Sequence, residues 1–99
     1  MPKQIIWSPS AENDFAEILN YLSINWNNKI VNQFIDKLDD YLDLIEINPK
    51  YFPIINKGLN IRKCVITKQN SLFYRASKNK IELIRLFDTR QNPDKLKFE

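Results

Sequence analysis

The stretch that decides the fold is IRKCVITKQNSLFYRASKNKIELIRLFD, residues 61–88. Its apolar residues fall in three short runs rich in β-branched and aromatic side chains, which is typical of strands rather than helices. The runs cover 61–67, 72–77 and 81–88, and the polar groups Lys68–Asn70 and Lys78–Lys80 separate them. Because such short polar connections join neighbouring strands, the stretch predicts a three-stranded antiparallel meander.

Upstream of the meander, the apolar residues follow the period of a helix. Ile5–Trp7 is a short β-prone run, and Ser8–Pro9 supplies a helix cap and a first helical position. Apolar residues then recur at helical spacing from Ala11 to about Ile24 and, after the polar residues 25–28, from Val31 to about Ile47. The pattern predicts an N-terminal strand followed by two long amphipathic helices.

The two predicted helices must lie nearly antiparallel, because few residues join them and each needs cover for its apolar side. The economical architecture is an α+β fold in which this helical hairpin packs on one face of a twisted sheet, made by the N-terminal strand and the meander. Asn48–Pro49 ends the second helix, residues 51–58 form an irregular arm, and a short tail helix begins at Pro93 in this prediction. We expect residues 1–99 to form a single domain.

The composition restricts the chemistry that the chain can perform. It has 15 basic and 12 acidic residues, a mild positive excess that suits an anionic or acidic partner. Cys64 is the one cysteine and histidine is absent, which excludes an intrachain disulfide, a Cys/His zinc site and a Cys–His nucleophile. We therefore expect no metal and no cofactor. No apolar run approaches the roughly 20 residues that cross a bilayer, which predicts a cytoplasmic protein without a membrane partner.

Basic residues within the predicted strands are candidate ligands for phosphates or acidic side chains, because a strand has two faces and only one needs to be solvated. The candidates are Arg62, Lys63, Arg75 and Arg85 in the strands, Arg90 just after the last strand, and Lys57 and Lys95 nearby. The alternative is that these residues form an ordinary solvated face of the sheet.

Acid–base chemistry near neutral pH usually recruits histidine, so any enzyme built on this chain must use other groups. Asp88 beside Arg90 is a candidate base, although a strand-end ion pair with Arg90 is the favoured interpretation. Cys64 is expected to be a small buried side chain, and Tyr74 a core aromatic residue.

Specific residues, together with the order of elements, resemble the RelE/ParE toxin superfamily over nearly the whole chain. The matching pieces are residues 5–11 (IIWSPSA), the hairpin that ends in Asn48–Pro49, Ile61–Arg62, residues 72–75 (LFYR), residues 81–84 (IELI) and residues 88–93 (DTRQNP). Such toxins belong to two-gene modules. The resemblance therefore implies a growth-inhibiting type II toxin of RelE/ParE-like fold that a cognate antitoxin silences.

Two branches of the superfamily imply different targets. ParE-like members resemble inhibitors of DNA gyrase, and the long hairpin together with Arg62 fits this branch better. RelE-like members resemble endonucleases that cut mRNA on the translating ribosome, and in that case Arg62 and Arg90 would be the catalytic residues. Cys64 and Ser71 stand where the nuclease pattern has further basic residues, and no tyrosine follows Tyr74. Gyrase inhibition is the favoured hypothesis, mRNA cleavage is the alternative, and a non-catalytic nucleic-acid-binding domain is the third.

Overall fold

Two helices cover one face of a five-stranded sheet in the computed structural model, which describes residues 3–98. The elements are β1 (Gln4–Trp7), α1 (Pro9–Asn25), α2 (Asn28–Ile47), β2 (Ile54–Asn56), β3 (Ile61–Val65), β4 (Asn70–Ala76) and β5 (Lys80–Asp88). A single 3-10 turn over Pro93–Lys95 stands where the tail helix was predicted. The predicted α+β fold, with a helical hairpin on one side of the sheet, is confirmed.

The sheet is mixed, with the strand order β1-β5-β4-β3-β2. β3, β4 and β5 form the predicted antiparallel meander. β1 lies parallel to β5, and Ile5 is level with Ile81 in that pair. The N-terminal strand therefore closes one edge of the sheet, next to the last strand of the chain.

The segment predicted to be an irregular arm contains a short strand, and on this point the sequence prediction was wrong. β2 pairs with the start of β3 through Ile54 opposite Arg62 and Asn56 opposite Ile61, with an irregular register between the two pairs. Three residues are too few to show a period of two, and both Ile54 and Ile55 are exposed. The periodicity of the sequence therefore carries no sign of this edge strand.

The helices begin at side-chain caps that the sequence contains. The Ser8 hydroxyl accepts a hydrogen bond from the Ala11 N–H at 3.0 Å, and the Asn27 side chain accepts one from the Ile30 N–H at 3.1 Å. Ser8 also donates to the carbonyl of Ile84 at 2.8 Å, which ties the start of α1 to β5. Within residues 3–98, neither helix is long and apolar enough to cross a membrane.

The core lies between the helices and the sheet. Its fully or nearly fully buried members include Ile18 of α1, Phe34, Leu38 and Ile45 of α2, Cys64 of β3, Leu72 and Tyr74 of β4, and Ile81, Leu83 and Leu86 of β5. Most of the apolar stripe of α2 contributes, which explains why this helix keeps its period so regularly.

A bulge in β5 allows both Leu83 and Leu86 to enter this core. Residues three apart in a regular strand point to opposite faces. Here Tyr74 of β4 is level with Leu83 while the preceding Phe73 is level with Arg85, so Ile84 is an extra residue in the ladder. The bulge turns Arg85 and Phe87 to the face away from the helices, and both leucines stay on the core side.

Asp14 of α1 binds β5 just past this bulge, at the edge that β1 is too short to reach. Its carboxylate accepts hydrogen bonds from the Leu86 N–H at 3.0 Å and from the Arg85 Nε and Nη2 at 2.7 and 3.0 Å. Asp14 is only 8% exposed. The Asp14 side chain thus accepts the hydrogen bond from Leu86 that a neighbouring strand would otherwise accept. It also pairs with the buried charge of Arg85.

Replacing Asp14 with alanine is expected to lower the free energy of unfolding by about 3 kcal/mol, because it leaves the Arg85 charge buried without its partner. Urea titration at neutral pH measures this change. Asp39→Ala, which removes an exposed carboxylate from α2, is the matched control and should shift the free energy by less than about 0.5 kcal/mol. Equal losses in the two variants would contradict the role given to Asp14.

Candidate functional site

The predicted basic surface would lie on the sheet face away from the helices, but apolar side chains fill much of that face. Ile61, Phe73 and Phe87 are buried there, and Leu96 and Phe98 of the C-terminal tail pack on them. The rings of Phe73 and Phe98 lie 5.2 Å apart between centroids. We refer to this surface as the tail-covered face.

Arg85 holds the tail in place. Its Nη1 donates to the backbone carbonyls of Lys95 at 3.3 Å and Lys97 at 3.1 Å, while its other nitrogens bind Asp14. The hydrogen bonds to Asp14 raise the pKa of the guanidinium above its ordinary value. Since its donors already bind acceptors of the chain, Arg85 joins α1, β5 and the tail and has little capacity left for an external ligand.

Arg62 lies on the opposite side of the sheet. It is level with Tyr74, a residue of the helix-side core, and cross-strand neighbours share a face. Its Nη1 donates to the carbonyls of Lys50 at 3.3 Å and Phe52 at 2.7 Å, and the Tyr74 hydroxyl donates to the carbonyl of Pro49 at 2.7 Å. Arg62 and Tyr74 together fasten the segment that follows α2 to the sheet.

Arg90 forms an ion pair with Asp88, as the sequence analysis favoured. Its Nε lies 3.0 Å from the Asp88 Oδ1, and its guanidinium carbon lies 4.2 Å from the centroid of the Tyr21 ring. The hydrogen bond from Arg90 holds the pKa of the Asp88 carboxyl below its ordinary value. Asp88 is therefore a weaker base than a free carboxylate, and Arg90 is stacked and paired within the chain.

Arg62 and Arg90 lie near opposite ends of the sheet. Arg62 is level with Tyr74 and hence with Leu83, whereas Arg90 follows Asp88, the last residue of β5. Because Ile84 is an extra residue, four ladder steps separate these two levels, from Tyr74 to Asn70 on β4, which corresponds to about 13 Å along a strand. The two guanidinium groups line different cavities and bind different parts of the chain, so they do not form one cluster.

The other predicted residues are dispersed. Arg75 forms an ion pair with Glu82 at 3.2 Å and donates to the carbonyl of Leu59 at 2.8 Å. Lys63 is level with Phe73 on the tail-covered face, Lys57 is exposed in the loop after β2, and Lys95 belongs to the 3-10 turn. The seven basic residues do not share one site, and their role in binding a target stays a prediction.

A different basic cluster, of which sequence reasoning found only Arg62, lines a cleft of about 460 Å³. Its cations are Lys3, Lys50, Arg62 and Lys78, and we call it the basic cleft. Lys3 precedes β1, Lys50 follows α2, and Lys78 lies between β4 and β5. The signal that could have found them is their position at the ends of elements, where chain segments distant in sequence meet.

The potential acid–base groups of the core are held in their neutral forms. Burial raises the pKa of the Cys64 thiol to about 12 and that of the Tyr74 hydroxyl to about 12. Both side chains are fully buried. Neither group exchanges a proton near neutral pH, which agrees with their prediction as core residues.

A family model described as the ParE toxin of the type II toxin–antitoxin system parDE matches residues 5–93. The match spans β1 to the 3-10 turn and includes both the helical hairpin and the meander. No curated protein matches the sequence.

Solved structures share the fold at low sequence identity. The chromosomal ParDE system of P. aeruginosa is similar at a TM-score of 0.70 and 10% identity, covering 87% of this chain and 95% of that one. The YoeB dimer of Staphylococcus aureus is similar at a TM-score of 0.65 and 18% identity, covering 88% of this chain and 97% of that one. The E. coli DinJ–YafQ toxin–antitoxin complex is similar at a TM-score of 0.62 and 12% identity, covering 91% of this chain and 96% of that one. At these identities the likeness shows the fold alone.

Stability is expected to fall as the pH rises above about 9. The folded chain keeps Cys64 and Tyr74 protonated up to about pH 12, whereas their ordinary pKa values are 9.0 and 10.0. Their contribution is therefore complete below the unfolded pKa values and is lost as the pH rises from these values towards 12. Thermal unfolding midpoints measured between pH 8 and 11.5 record the decline.

Cys64→Ala should make this decline less steep, because one of the two titrating groups is gone. Tyr51→Phe is the control, since Tyr51 is exposed, and its slope should equal that of the unmodified chain. If all three proteins show the same slope, burial of the Cys64 thiol does not govern the alkaline response.

Proposed function

This chain belongs to the ParE toxin family of type II toxin–antitoxin systems, and we propose that it stops growth by binding DNA gyrase in the cytoplasm. A cognate antitoxin would hold it silent. In this proposal the toxin acts by occupying or trapping the enzyme through surface contacts, without forming or breaking a bond itself.

The observation that carries the proposal is the placement of Arg62 and Arg90, which a nuclease would use, and of Arg85. Cleavage of RNA requires a base, an acid and positive charge around one phosphate. Asp88, which pairs with Arg90, lies about 13 Å along the sheet from the level of Arg62. Arg85 and Arg90 are neutralised by Asp14 and Asp88. This arrangement suits structural roles better than phosphate chemistry.

The pKa values of the acid–base groups also favour a binding role over a catalytic one. Within residues 3–98, the groups with raised pKa values are Cys64, Tyr74, Arg85 and Arg90. Each of these pKa values is thereby shifted further from neutral pH. A general acid or base works best with a pKa near the working pH. On the tail-covered face, Phe73, Phe87 and Phe98 pack against one another and form internal contacts.

Exposed apolar side chains suit both a protein target and an antitoxin. Trp26 at the tip of the hairpin is 64% exposed, and Ile47 at the end of α2 is 83% exposed. Ile24 and Tyr51 extend these two apolar areas. Large apolar and aromatic side chains that are exposed to solvent are typical anchors of protein interfaces. The similarity to a toxin that was solved in complex with its antitoxin supports such a partner for this chain.

Expression of the chain alone is expected to stop the growth of a bacterial culture, and co-expression of the neighbouring antitoxin gene should restore it. The physical reason is that a bound antitoxin covers the surface that the target needs. Colony counts after induction measure both effects. Normal growth with the toxin alone, at a protein level verified by immunoblot, would contradict the assignment as an active toxin.

Purified chain is expected to inhibit DNA supercoiling by gyrase while leaving mRNA intact. Supercoiling of a relaxed plasmid is followed on agarose gels over a range of toxin concentrations. In parallel, message ends are mapped by primer extension in a cell-free translation reaction, with a ribosome-free control. Lower supercoiling together with uncut message supports the proposal.

Arg90→Ala separates the two mechanisms. A nuclease should lose its activity in this variant, whereas a gyrase-binding toxin should keep its inhibition within about fivefold, since a lost surface ion pair costs no more than about 1 kcal/mol. Cuts that appear only on translated message, and that vanish in Arg90→Ala, would replace the proposal with ribosome-dependent mRNA cleavage. Binding to naked nucleic acid that falls steeply with salt, without either effect, would indicate the nucleic-acid-binding alternative.

A further inference from the structure

The basic cleft is concave and carries an excess of positive charge. Its volume of about 460 Å³ falls within the range of roughly 300–1,000 Å³ that small-ligand sites occupy. Within residues 3–98, four of its lining residues are cationic and none is an aspartate or glutamate. These cations come from four separate segments of the chain and converge on one space.

Two of the cations are positioned by backbone carbonyls before any ligand arrives. The Lys3 Nζ donates to the carbonyls of Ser77 and Lys78, the latter at 2.8 Å. Arg62 uses only Nη1 for the carbonyls of Lys50 and Phe52, and within residues 3–98 its Nε and Nη2 donate to no acceptor. Donors fixed in this way lose little conformational entropy when an anion binds.

The positive charge of the cleft is larger than the charge needed to balance the backbone around it. A purely structural role would be to balance the negative end of α2, which closes at Asn48 beside the cleft. That end carries about half an elementary charge, against four full charges in the lining. Lys50 and Lys78 are exposed, and within the described part of the chain neither forms an ion pair. Positive charge therefore remains for an external anion.

The remaining lining residues suit the uncharged part of a nucleotide. Asn48, Asn60 and Ser77 offer polar groups, while Pro49 and Ala76 supply apolar surface. Asn60 adopts a left-handed backbone with φ of 55°, and its side-chain amide donates to the carbonyl of Ala76 at 3.4 Å. This conformation, which asparagine tolerates better than most residues, holds Asn60 beside the cleft.

We propose that the basic cleft binds a phosphorylated small molecule of nucleotide size, with its phosphates between Lys50, Arg62 and Lys78. A compact concave site suits a small ligand better than a nucleic-acid strand, which would need positive charge extended along a groove. The proposal does not depend on gyrase as the target, because it concerns a site that neither the tail-covered face nor the exposed apolar areas share.

Isothermal titration calorimetry of the full chain with ATP, without magnesium and at low salt, tests the site. ATP should bind with one-site stoichiometry, and adenosine should give no saturable heat because it lacks phosphate. Lys50→Ala and Lys78→Ala should each weaken ATP binding about tenfold, as expected for the loss of one charge-assisted hydrogen bond. Both side chains are exposed, so these variants should fold, and a thermal melt of each verifies this.

Lys68→Ala is the matched control, since Lys68 is an exposed lysine between β3 and β4 that does not line the cleft. It should change the affinity for ATP by less than twofold. The proposal is overturned if ATP gives no saturable heat at millimolar concentration, or if Lys68→Ala weakens binding as much as Lys50→Ala does. Tighter binding of a ten-nucleotide single-stranded DNA through the same two lysines would also overturn it, in favour of a nucleic-acid site.

Discussion

The Asp14 carboxylate binds the Leu86 backbone and the Arg85 guanidinium, and much of the structure depends on this contact. It fixes α1 against β5 where β1 ends. It also orients Arg85, which holds the C-terminal tail through the carbonyls of Lys95 and Lys97. One buried acid thus connects the first helix, the last strand and the tail.

This organisation has consequences for function. Arg62 fastens the segment after α2, Arg85 fastens the tail, and Arg90 pairs with Asp88 and stacks on Tyr21. Basic residues that a nuclease would direct at RNA are engaged in holding the fold together. The surfaces left for partners are apolar areas at the hairpin tip and the end of α2, together with the basic cleft. They suit a protein that acts by binding.

Most of the fold was predictable, but little of the candidate site was. The helices, β1 and the meander were predicted because their apolar residues repeat over enough positions to define a period. β2 was missed because three residues, Ile54–Asn56, cannot define one. The separation of Arg62 from Arg90 follows from strand register, which a one-residue bulge such as that at Ile84 shifts.

The sequence by itself determined the two helices, β1, the meander and the core role of Cys64 and Tyr74, and it showed that any acid–base chemistry must use groups other than histidine. These properties depend on residue type and local spacing. Only the tertiary structure decided which charges are paired and which are available. Asp14 and Arg85 are separated by 71 positions, and the cations of the basic cleft come from four element ends. Contacts of this kind form by chain folding, so no local pattern in the sequence records them.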